Sequence, residues 1–267
     1  MRPHPILLPA LLILSSLPLA GWQKDVNTGK SGPHLKIRPV ALSYQVSWNG
    51  TLNSGRANFI FGRKDKRYPN DFIAQLYGAS GGVARALHPY DYVFTSFLRK
   101  TDYTPRLFVG SESDANEKKL TTNRYGRRFR STEVTTPHKK GAGTTTRTSS
   151  FKYTRHTVYD LLSTILYVRS LPLRKGDESV IVMHPFASPY LARVKVLGRE
   201  VHRGRNCVKL DLKLQKIDAA TGKLKSYKKM KTTLMWLSDD RERLPVEFRV
   251  DAFIGDVRAV LDGRKYL

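Results

Sequence analysis

Two adjacent carboxylates, Asp239 and Asp240, are the residues in this sequence with the clearest potential for catalysis. They follow the apolar run 232–237, which has the composition of a β-strand, so both would lie at a strand end. Paired carboxylates there can bind a cation or act as acid and base in hydrolysis. Aspartates also close turns by accepting hydrogen bonds from backbone amides, and Arg241 and Arg243 would neutralise this pair. The sequence favours the turn and keeps a hydrolase using Asp239 or Asp240 as an alternative.

The remaining candidates for chemistry are isolated. The sequence has no H-E-x-x-H motif and no glycine-rich phosphate loop of the G-x-x-x-x-G-K type. Its single cysteine, Cys207, lies in the alternating run 207–214 and is interpreted as structural. The histidines after the N-terminal segment are scattered, without metal-ligand spacing: His34, His88, His138, His156, His184 and His202. We therefore predict no catalytic residue, no metal and no cofactor.

The chain carries a large excess of positive charge, with 47 lysines and arginines against 22 aspartates and glutamates. Such a field attracts anionic partners, including lipid headgroups and acidic polymers. The densest basic cluster with aromatic neighbours contains Arg124, Arg127, Arg128 and Arg130, and we predict that it binds anionic surfaces. A solvated hairpin is the alternative. The basic residues match no nucleic-acid-binding pattern, so no nucleic-acid partner is expected.

The first 20 residues have the pattern of a bacterial secretory signal peptide. Arg2 precedes the apolar run 6–19, and Ala20 is a small residue suited to cleavage. Spanning a bilayer takes about 20 apolar residues, and no comparable run follows, so no transmembrane segment is expected after cleavage. We predict export to the periplasm or outer membrane, with an uncleaved anchor as the alternative. A lipoprotein is not expected, because the only cysteine is Cys207.

Beyond residue 39 the sequence alternates apolar and polar residues as antiparallel strands do. The pattern is clear in 42–48, 208–214 and 246–250, and Asn49-Gly50 predicts a tight hairpin turn. A short helix is predicted at 81–88, whereas the polar region 101–150 suggests irregular structure or edge strands. The predicted organisation is a flexible arm at 21–39 and a single mainly β (α+β) domain at 40–267.

One long helix is predicted at about 157–170, with Thr157 as its N-cap and Asp160 completing a capping box. Its apolar residues cover almost the whole circumference, so it must be enclosed. We predict a large curved antiparallel sheet, or half-barrel, wrapped around this helix. The concave face would form an apolar trough for a ligand, lined by Tyr44, Val46, Trp48, Phe59, Leu210, Leu212, Trp236 and Phe248.

Several ordered segments carry a resemblance to a known family. They are 42–50, 159–177, 194–200 and 235–259, which includes the run Met235-Trp236-Leu237-Ser238-Asp239-Asp240. Together they resemble the exported bacterial proteins of domain-of-unknown-function family 3108, from about Val40 to Gly263. The resemblance implies an envelope protein of unestablished activity with a fold similar to periplasmic lipoprotein carriers. The basic region 121–152 departs from the family.

These observations support three functional hypotheses. The first is a non-enzymatic binding module of the cell envelope for an acyl chain or another apolar or anionic ligand. The second is a structural protein that binds an envelope protein or an anionic envelope polymer. The third is the hydrolase that would use Asp239 or Asp240.

Overall fold

The computed structural model describes residues 21–27, 29–126, 128–152, 156–227, 230–252 and 255–267. The predicted signal peptide at 1–20 and Arg127 of the predicted basic site lie outside these residues. The helices found within them are a short 3₁₀ segment at Gly21–Lys24, α1 (Gly82–Leu87) and α2 (Leu161–Ser170). The strands are β1 (Val40–Trp48), β2 (Leu52–Arg63), β3 (Asp71–Ser80), β4 (Asp91–Arg99), β5 (Pro105–Ser113), β6 (Glu117–Arg124), β7 (Arg128–Pro137), β8 (Thr145–Lys152), β9 (Val158–Tyr159), β10 (Glu178–Met183), β11 (Tyr190–His202), β12 (Arg205–Ile217), β13 (Leu224–Ser226), β14 (Met230–Ser238), β15 (Pro245–Ala252) and β16 (Gly255–Tyr266).

All these strands belong to one sheet, which confirms the mainly β prediction. The order is β8-β7-β6-β5-β4-β3-β2-β1-β16-β15-β14-β12-β11-β10-β9, with β13 beside β12. The described neighbours are antiparallel apart from the parallel pair β9–β10. The first and last strands pair in the middle of the sheet, where Val40 lies opposite Tyr266. The sheet therefore has a first half, β1 to β8, and a second half, β9 to β16. The pairing of the first strand with the last joins the two halves.

The hairpin predicted at Asn49-Gly50 is present between β1 and β2. Asn49 has a φ of 51° and Gly50 a φ of 75°. Two consecutive residues in the left-handed region give the turn that matches the twist of the flanking strands, and asparagine and glycine adopt it most easily. The short helix predicted at 81–88 is also present as α1, capped by Gly81 and His88.

The region 101–150 contains four regular strands, β5 to β8, where irregular structure or edge strands were predicted. β6 pairs with β7 and β7 with β8 without a register shift. The hydrophobic pattern failed here because polar residues occupy the inward positions: Thr121, Asn123 and Ser131 are fully buried. Of these four strands, only β8 lies at an edge of the described sheet.

Helix α2 is shorter than predicted, with ten residues at Leu161–Ser170 in place of 157–170. Its N-cap is Asp160, not Thr157, because the Asp160 carboxylate accepts a hydrogen bond from the Ser163 amide at 2.7 Å. The Ser163 hydroxyl in turn accepts one from the Asp160 amide at 2.8 Å, which completes the capping box. Val158, which the apolar pattern assigned to the helix, lies in β9 opposite Val182. The long enclosed helix of the prediction is therefore absent from the described residues.

Nearly every residue of α2 is buried, and its side chains belong to two apolar clusters. Leu162 and Leu166 pack in the first cluster with residues of β1 to β5, such as Phe108. Tyr167 and Val168 pack in the second with residues of β10 to β14. The helix thus connects the cores of both halves of the sheet. None of the helices in the described residues is long and apolar enough to cross a membrane.

The two ends of the sheet meet through side chains. The Phe129 ring of β7 stacks on His184, which directly follows β10, with 3.8 Å between centroids. The side-chain nitrogen Nδ2 of Asn123 donates to the carbonyls of His184, Pro185 and Phe186 at 3.2–3.3 Å. Burial lowers the pKa of His184 to about 3, so it is neutral at physiological pH. This contact brings β6 and β7 against the far end of the sheet.

The segment 21–39 was predicted to be a flexible arm, but its described residues lie packed on the sheet and on the end of α2. Trp22 Nε1 donates to the carbonyl of Gly222 at 2.9 Å. The Asn27 amide donates to the carbonyl of Val180 in β10, also at 2.9 Å. The His34 amide donates to the carbonyl of Ser170 at 3.0 Å. These bonds hold the residues before β1 against the second half of the sheet and against the C-terminal end of α2.

Candidate functional site

Four residues predicted to line an apolar trough are part of the packed interior. Tyr44 and Leu210 are fully buried, and Phe59 is nearly so. The Tyr44 hydroxyl donates to the carbonyl of Pro245 at 2.7 Å. Phe59 and the half-buried Phe248 stack with 5.7 Å between ring centroids. The inner face is therefore occupied here by the protein's own side chains.

Trp236 does not belong with this set, because it lies on the opposite face of the sheet from Leu210. Leu210 is paired with Met235 in the register of β12 and β14, so the next residue points away. Trp236 Nε1 donates to Glu200 Oε1 at 2.7 Å, and its ring stacks on His202. The prediction was wrong because β14 is apolar on both faces, and its own sequence does not say which face is inner.

The other three predicted trough residues are half-buried. Val46 packs against the first cluster, and Trp48 lies beside Gly255 at the start of β16. Leu212, together with Tyr227 and other residues, lines a cavity of about 410 Å³. These positions come from separate parts of the sheet, so the eight predicted residues do not form one trough.

The candidate carboxylates at the end of β14 make structural contacts. Asp240 accepts hydrogen bonds from the amides of Glu242 and Arg243, both at 2.9 Å, and thereby closes the turn before β15. Asp239 accepts from Arg199 Nε at 2.8 Å. Among the described residues, no group of three or more histidine, cysteine, aspartate or glutamate side chains is placed to hold a metal ion.

Residues 78–82 have the G-x-S-x-G spacing of hydrolase nucleophiles, which the sequence-based prediction passed over. The segment connects β3 to α1, and Ser80 is the last residue of the strand. The Ser80 hydroxyl accepts a hydrogen bond from the Tyr90 amide at 2.9 Å. In the described part of the chain, no histidine or carboxylate hydrogen-bonds to this hydroxyl. Its observed role is to hold the connection between β3 and β4.

Cys207 is fully buried in β12 among Trp236 and Val246, and burial raises the pKa of its thiol. Thiolate is the reactive form of cysteine, so both effects suppress its reactivity. We predict that a thiol-specific aromatic disulfide reagent modifies the folded protein at least about 100-fold more slowly than the protein in urea. Absorbance of the released thiolate measures both rates. Comparable rates would mean that Cys207 is accessible and would contradict the structural interpretation.

The predicted basic site is brought together in part. Arg124 of β6 lies directly opposite Arg130 of β7, and Arg128 is two residues from Arg130 on the same face. All three side chains are exposed. None of them forms an ion pair with a carboxylate of the described residues. The structure thus supports a cationic surface at these three positions, and Arg127 is outside the described residues.

A larger cavity lies elsewhere, at the end of β2 and the start of β3, and we call it the end groove. It combines residues from three distant segments: those before β1, the β2–β3 connection and the β4–β5 connection. Its volume is about 580 Å³. The lining residues are Ile37, Pro39, Gly62, Arg63, Lys64, Asp65, Lys66, Tyr68, Pro69, Asp71, Phe72, Lys100 and Tyr103.

The floor of the end groove is apolar and continuous with the first core cluster. Ile37 and Tyr103 belong to that cluster, and Phe72 packs against it. The rings of Phe72 and Tyr103 lie 4.3 Å apart between centroids. Tyr103 has a φ of 56°, which is uncommon for a bulky residue, and burial raises its pKa. The tight β4–β5 connection therefore holds an aromatic side chain against the groove.

The rim of the end groove is cationic. Its two carboxylates are each paired with an arginine outside the lining, Asp65 with Arg67 and Asp71 with Arg106, both at 2.8 Å. The Arg67 hydrogen bonds lower the pKa of Asp65 to about 2, so that it stays ionised. The basic residues of the rim are Arg63, Lys64, Lys66 and Lys100, and no carboxylate of the described residues pairs with them. The groove can therefore attract an anion.

A family model described as "Protein of unknown function (DUF3108)" matches residues 43–262. The chain belongs to the DUF3108 family. This result confirms the resemblance found in the sequence. No curated protein matches the chain.

The solved structures that match this DUF3108 protein include the following two. One is a beta-barrel-like protein of domain of unknown function DUF1849 from Brucella abortus, with a TM-score of 0.54 and 9% identity. That match covers 87% of this chain and 99% of the other. The second is a putative exported protein with a YmcC-like fold from Bacteroides fragilis, with a TM-score of 0.30, 8% identity and coverage of 88% and 99%. The first supports a barrel-like fold for the DUF3108 chain.

Proposed function

We propose that this DUF3108 protein is a non-enzymatic binding protein of the cell envelope that holds an amphiphile with an acidic headgroup in the end groove. The observation that carries the proposal is the combination of an apolar floor with a cationic rim in one cavity. The predicted signal peptide supports the location. The ligand site proposed here is therefore not the inner trough but the groove at the end of β2 and the start of β3.

The dimensions of the end groove suit a small amphiphile. Ligand cavities are commonly about 300–1,000 Å³ and mostly apolar, with a few polar groups that fix the orientation of the ligand. The end groove has about 580 Å³. Phe72 and Tyr103 offer aromatic surface to an alkyl chain, which gains about 0.8 kcal/mol for each CH₂ group buried.

The charges of the rim favour an acidic headgroup over a neutral one. Lys64 and Lys66 have no described ion-pair partner, whereas Lys100 Nζ donates one hydrogen bond to the Pro69 carbonyl at 2.8 Å. An ammonium group has three donors, so Lys100 retains capacity for a carboxylate or phosphate. An acid at the rim would meet reduced repulsion from Asp65 and Asp71, since an arginine partner offsets the charge of each.

The proposal treats the sheet as a half-barrel, broadly similar to that of periplasmic lipoprotein carriers. In such a half-barrel α2 and the two core clusters would occupy the concavity that a carrier leaves for acyl chains. An entrance at the end of the strands then becomes the available position for a ligand. The similarity to these carriers concerns the fold alone and does not imply the same activity.

Charge reversal at the rim tests this site. We predict that the double variant Lys64→Glu, Lys66→Glu binds dansyl-labelled undecanoic acid about tenfold more weakly than the parent protein. Each substitution removes an attraction between lysine and the acid of about 0.5–1 kcal/mol, and the new glutamate repels the acid. A tenfold loss of affinity corresponds to about 1.4 kcal/mol in total. Titration of dansyl fluorescence measures the affinity, and the methyl ester of the probe is expected to bind the parent weakly.

The matched control is Lys175→Glu, Lys195→Glu, which makes the same charge change at exposed positions in the other half of the sheet. It is expected to stay within about twofold of the parent, because those sites are far from the groove and screened by salt. Equal losses in both double variants would show an effect of net charge alone. No saturable binding of the acid by the parent protein would refute the proposed function.

A further inference from the structure

A row of apolar side chains crosses the outer face of the first half of the sheet. The residues Leu76, Phe94 and Phe108 point inward into the first core cluster, so their neighbours Tyr77, Val93 and Val109 point outward. In register, Tyr77 lies opposite Val93, Val93 opposite Ser111, Ser111 opposite Leu120, and Leu120 opposite Val134. We call Tyr77, Val93, Val109, Leu120 and Val134 the outer row.

Four residues of the outer row are solvent-accessible to an unusual degree for their types, and the fifth, Val134, is half-buried. Tyr77, Val93, Val109 and Leu120 are 38%, 44%, 39% and 42% exposed. Single exposed apolar residues are ordinary, but neighbouring ones on one face of a sheet mark an interaction surface. Helix α1 adds Val83 and Leu87, 55% and 60% exposed, in the connection at the same end of β3 and β4.

Cationic side chains border the outer row on the same face. Along β6, Lys118 lies two residues before Leu120 and Arg124 lies four residues after it, so their side chains share its face. Arg124 lies opposite Arg130 of β7. All three are exposed and have no described carboxylate partner. The acidic residues of β3 to β8 do not neutralise these three cations. Glu112 and Glu133 point inward. The others are already in ion pairs: Asp71 with Arg106, Asp91 with Arg85 and Glu117 with Lys119.

We propose that the outer face of β3 to β7 docks on a lipid bilayer rich in anionic headgroups. The outer row would enter the boundary between headgroups and acyl chains, as the apolar face of an interfacial protein does. Lys118, Arg124 and Arg130 would contact the phosphates. Val109 also lines a groove of about 340 Å³ with Ile73 and Phe97, next to the end groove, so the docked face leads towards the proposed ligand site.

A bilayer fits this face better than a second copy of the chain. A symmetric contact would bring two sets of Lys118, Arg124 and Arg130 together without intervening acids, in a chain whose formal net charge is +25. Like charges held together in an interface oppose association. An anionic lipid surface offers the opposite charge over the whole face and accepts an irregular apolar row.

Vesicle co-sedimentation tests the proposal with purified protein. We expect strong binding to vesicles of phosphatidylglycerol and phosphatidylcholine and little binding to phosphatidylcholine alone. The variant Val93→Thr, Leu120→Gln is expected to bind the mixed vesicles about tenfold more weakly. The variant Arg124→Gln, Arg130→Gln should lose at least about tenfold and most of the salt dependence, whereas the apolar variant keeps its salt dependence. Comparison among variants cancels any contribution of residues 1–20.

The matched control is Leu197→Gln, Val201→Thr, which removes exposed apolar side chains from β11 in the other half of the sheet. It should bind like the parent. Equal losses in the control and the Val93/Leu120 variant would overturn the proposal, as would equal binding to both kinds of vesicle. Light scattering adds a further outcome: a dimeric parent and a monomeric Val93/Leu120 variant would assign the face to a second copy. This test does not depend on the end groove.

Discussion

Replacement of Arg169 by leucine is expected to lower the free energy of unfolding by about 3 kcal/mol. Arg169 is fully buried, and burial lowers its pKa to about 10, so it remains charged at neutral pH. Its guanidinium donates to the carbonyls of Leu35 at 3.0 Å, Lys36 at 3.2 Å and Glu242 at 2.7 and 2.9 Å. Leucine would leave these carbonyls without donors, at about 1–3 kcal/mol each, partly offset by removal of a buried charge.

Urea denaturation followed by tryptophan fluorescence measures this loss. Arg174→Leu, an exposed arginine just beyond α2, is the control and should change stability by no more than about 0.5 kcal/mol. Arg169 fixes the residues directly before Ile37, which lines the end groove, so the Arg169 variant should also bind the dansyl probe more weakly while still folded. A stable variant with unchanged probe affinity would show that Arg169 holds neither the fold nor the groove.

Replacement of Phe59 by alanine is expected to cost about 3–4 kcal/mol of stability. The Phe59 side chain is 5% exposed and contacts the rings of Tyr44, Phe61 and Phe248. Truncation of a buried phenylalanine removes its burial energy and leaves a cavity that the surrounding structure fills only partly. The same urea experiment measures the loss, and Val201→Ala, at a site 72% exposed, is expected to change stability little.

The Phe59 variant also discriminates between two positions for the ligand. Phe59 belongs to the core and does not line the end groove, so the folded fraction should bind the dansyl probe within about twofold of the parent. Little loss of stability combined with a large loss of probe binding would restore the inner trough as the ligand site. That result would contradict the end groove.

Strands that alternate apolar with polar residues were predictable from the sequence, whereas strands whose inward residues are polar were not. β1, β12 and β15 alternate apolar with polar residues, which is a local property of the chain. β6 and β7 alternate too, but their inward residues are polar, such as Asn123 and Ser131. Asn123 Nδ2 donates to the carbonyls of residues 184–186, a contact between segments about 60 residues apart. No local pattern reports such a partner.

The start of α2 and the orientation of Trp236 also depend on contacts that the local sequence does not reveal. The apolar run from Val158 onward fitted a helix, but Val158 gains its partner from β10 in a parallel pair. In β14, residues on both faces are apolar, and only the register with β12 decides that Met235 and not Trp236 faces inward. Side-chain periodicity fixes which residues share a face within a strand. It does not fix which face meets the core when both are hydrophobic.

The sequence by itself determined the family, the antiparallel β class, the β1–β2 turn and the strong positive charge, because each is encoded in composition, motif order or short-range spacing. Only the tertiary structure brought together the residues of the end groove and those of the outer row. The end groove joins residues 37–39, 62–72 and 100–103, and the outer row joins strands β3 to β7. Both depend on the register of the sheet and on the packing of its connections, which arise from contacts between residues far apart in the chain.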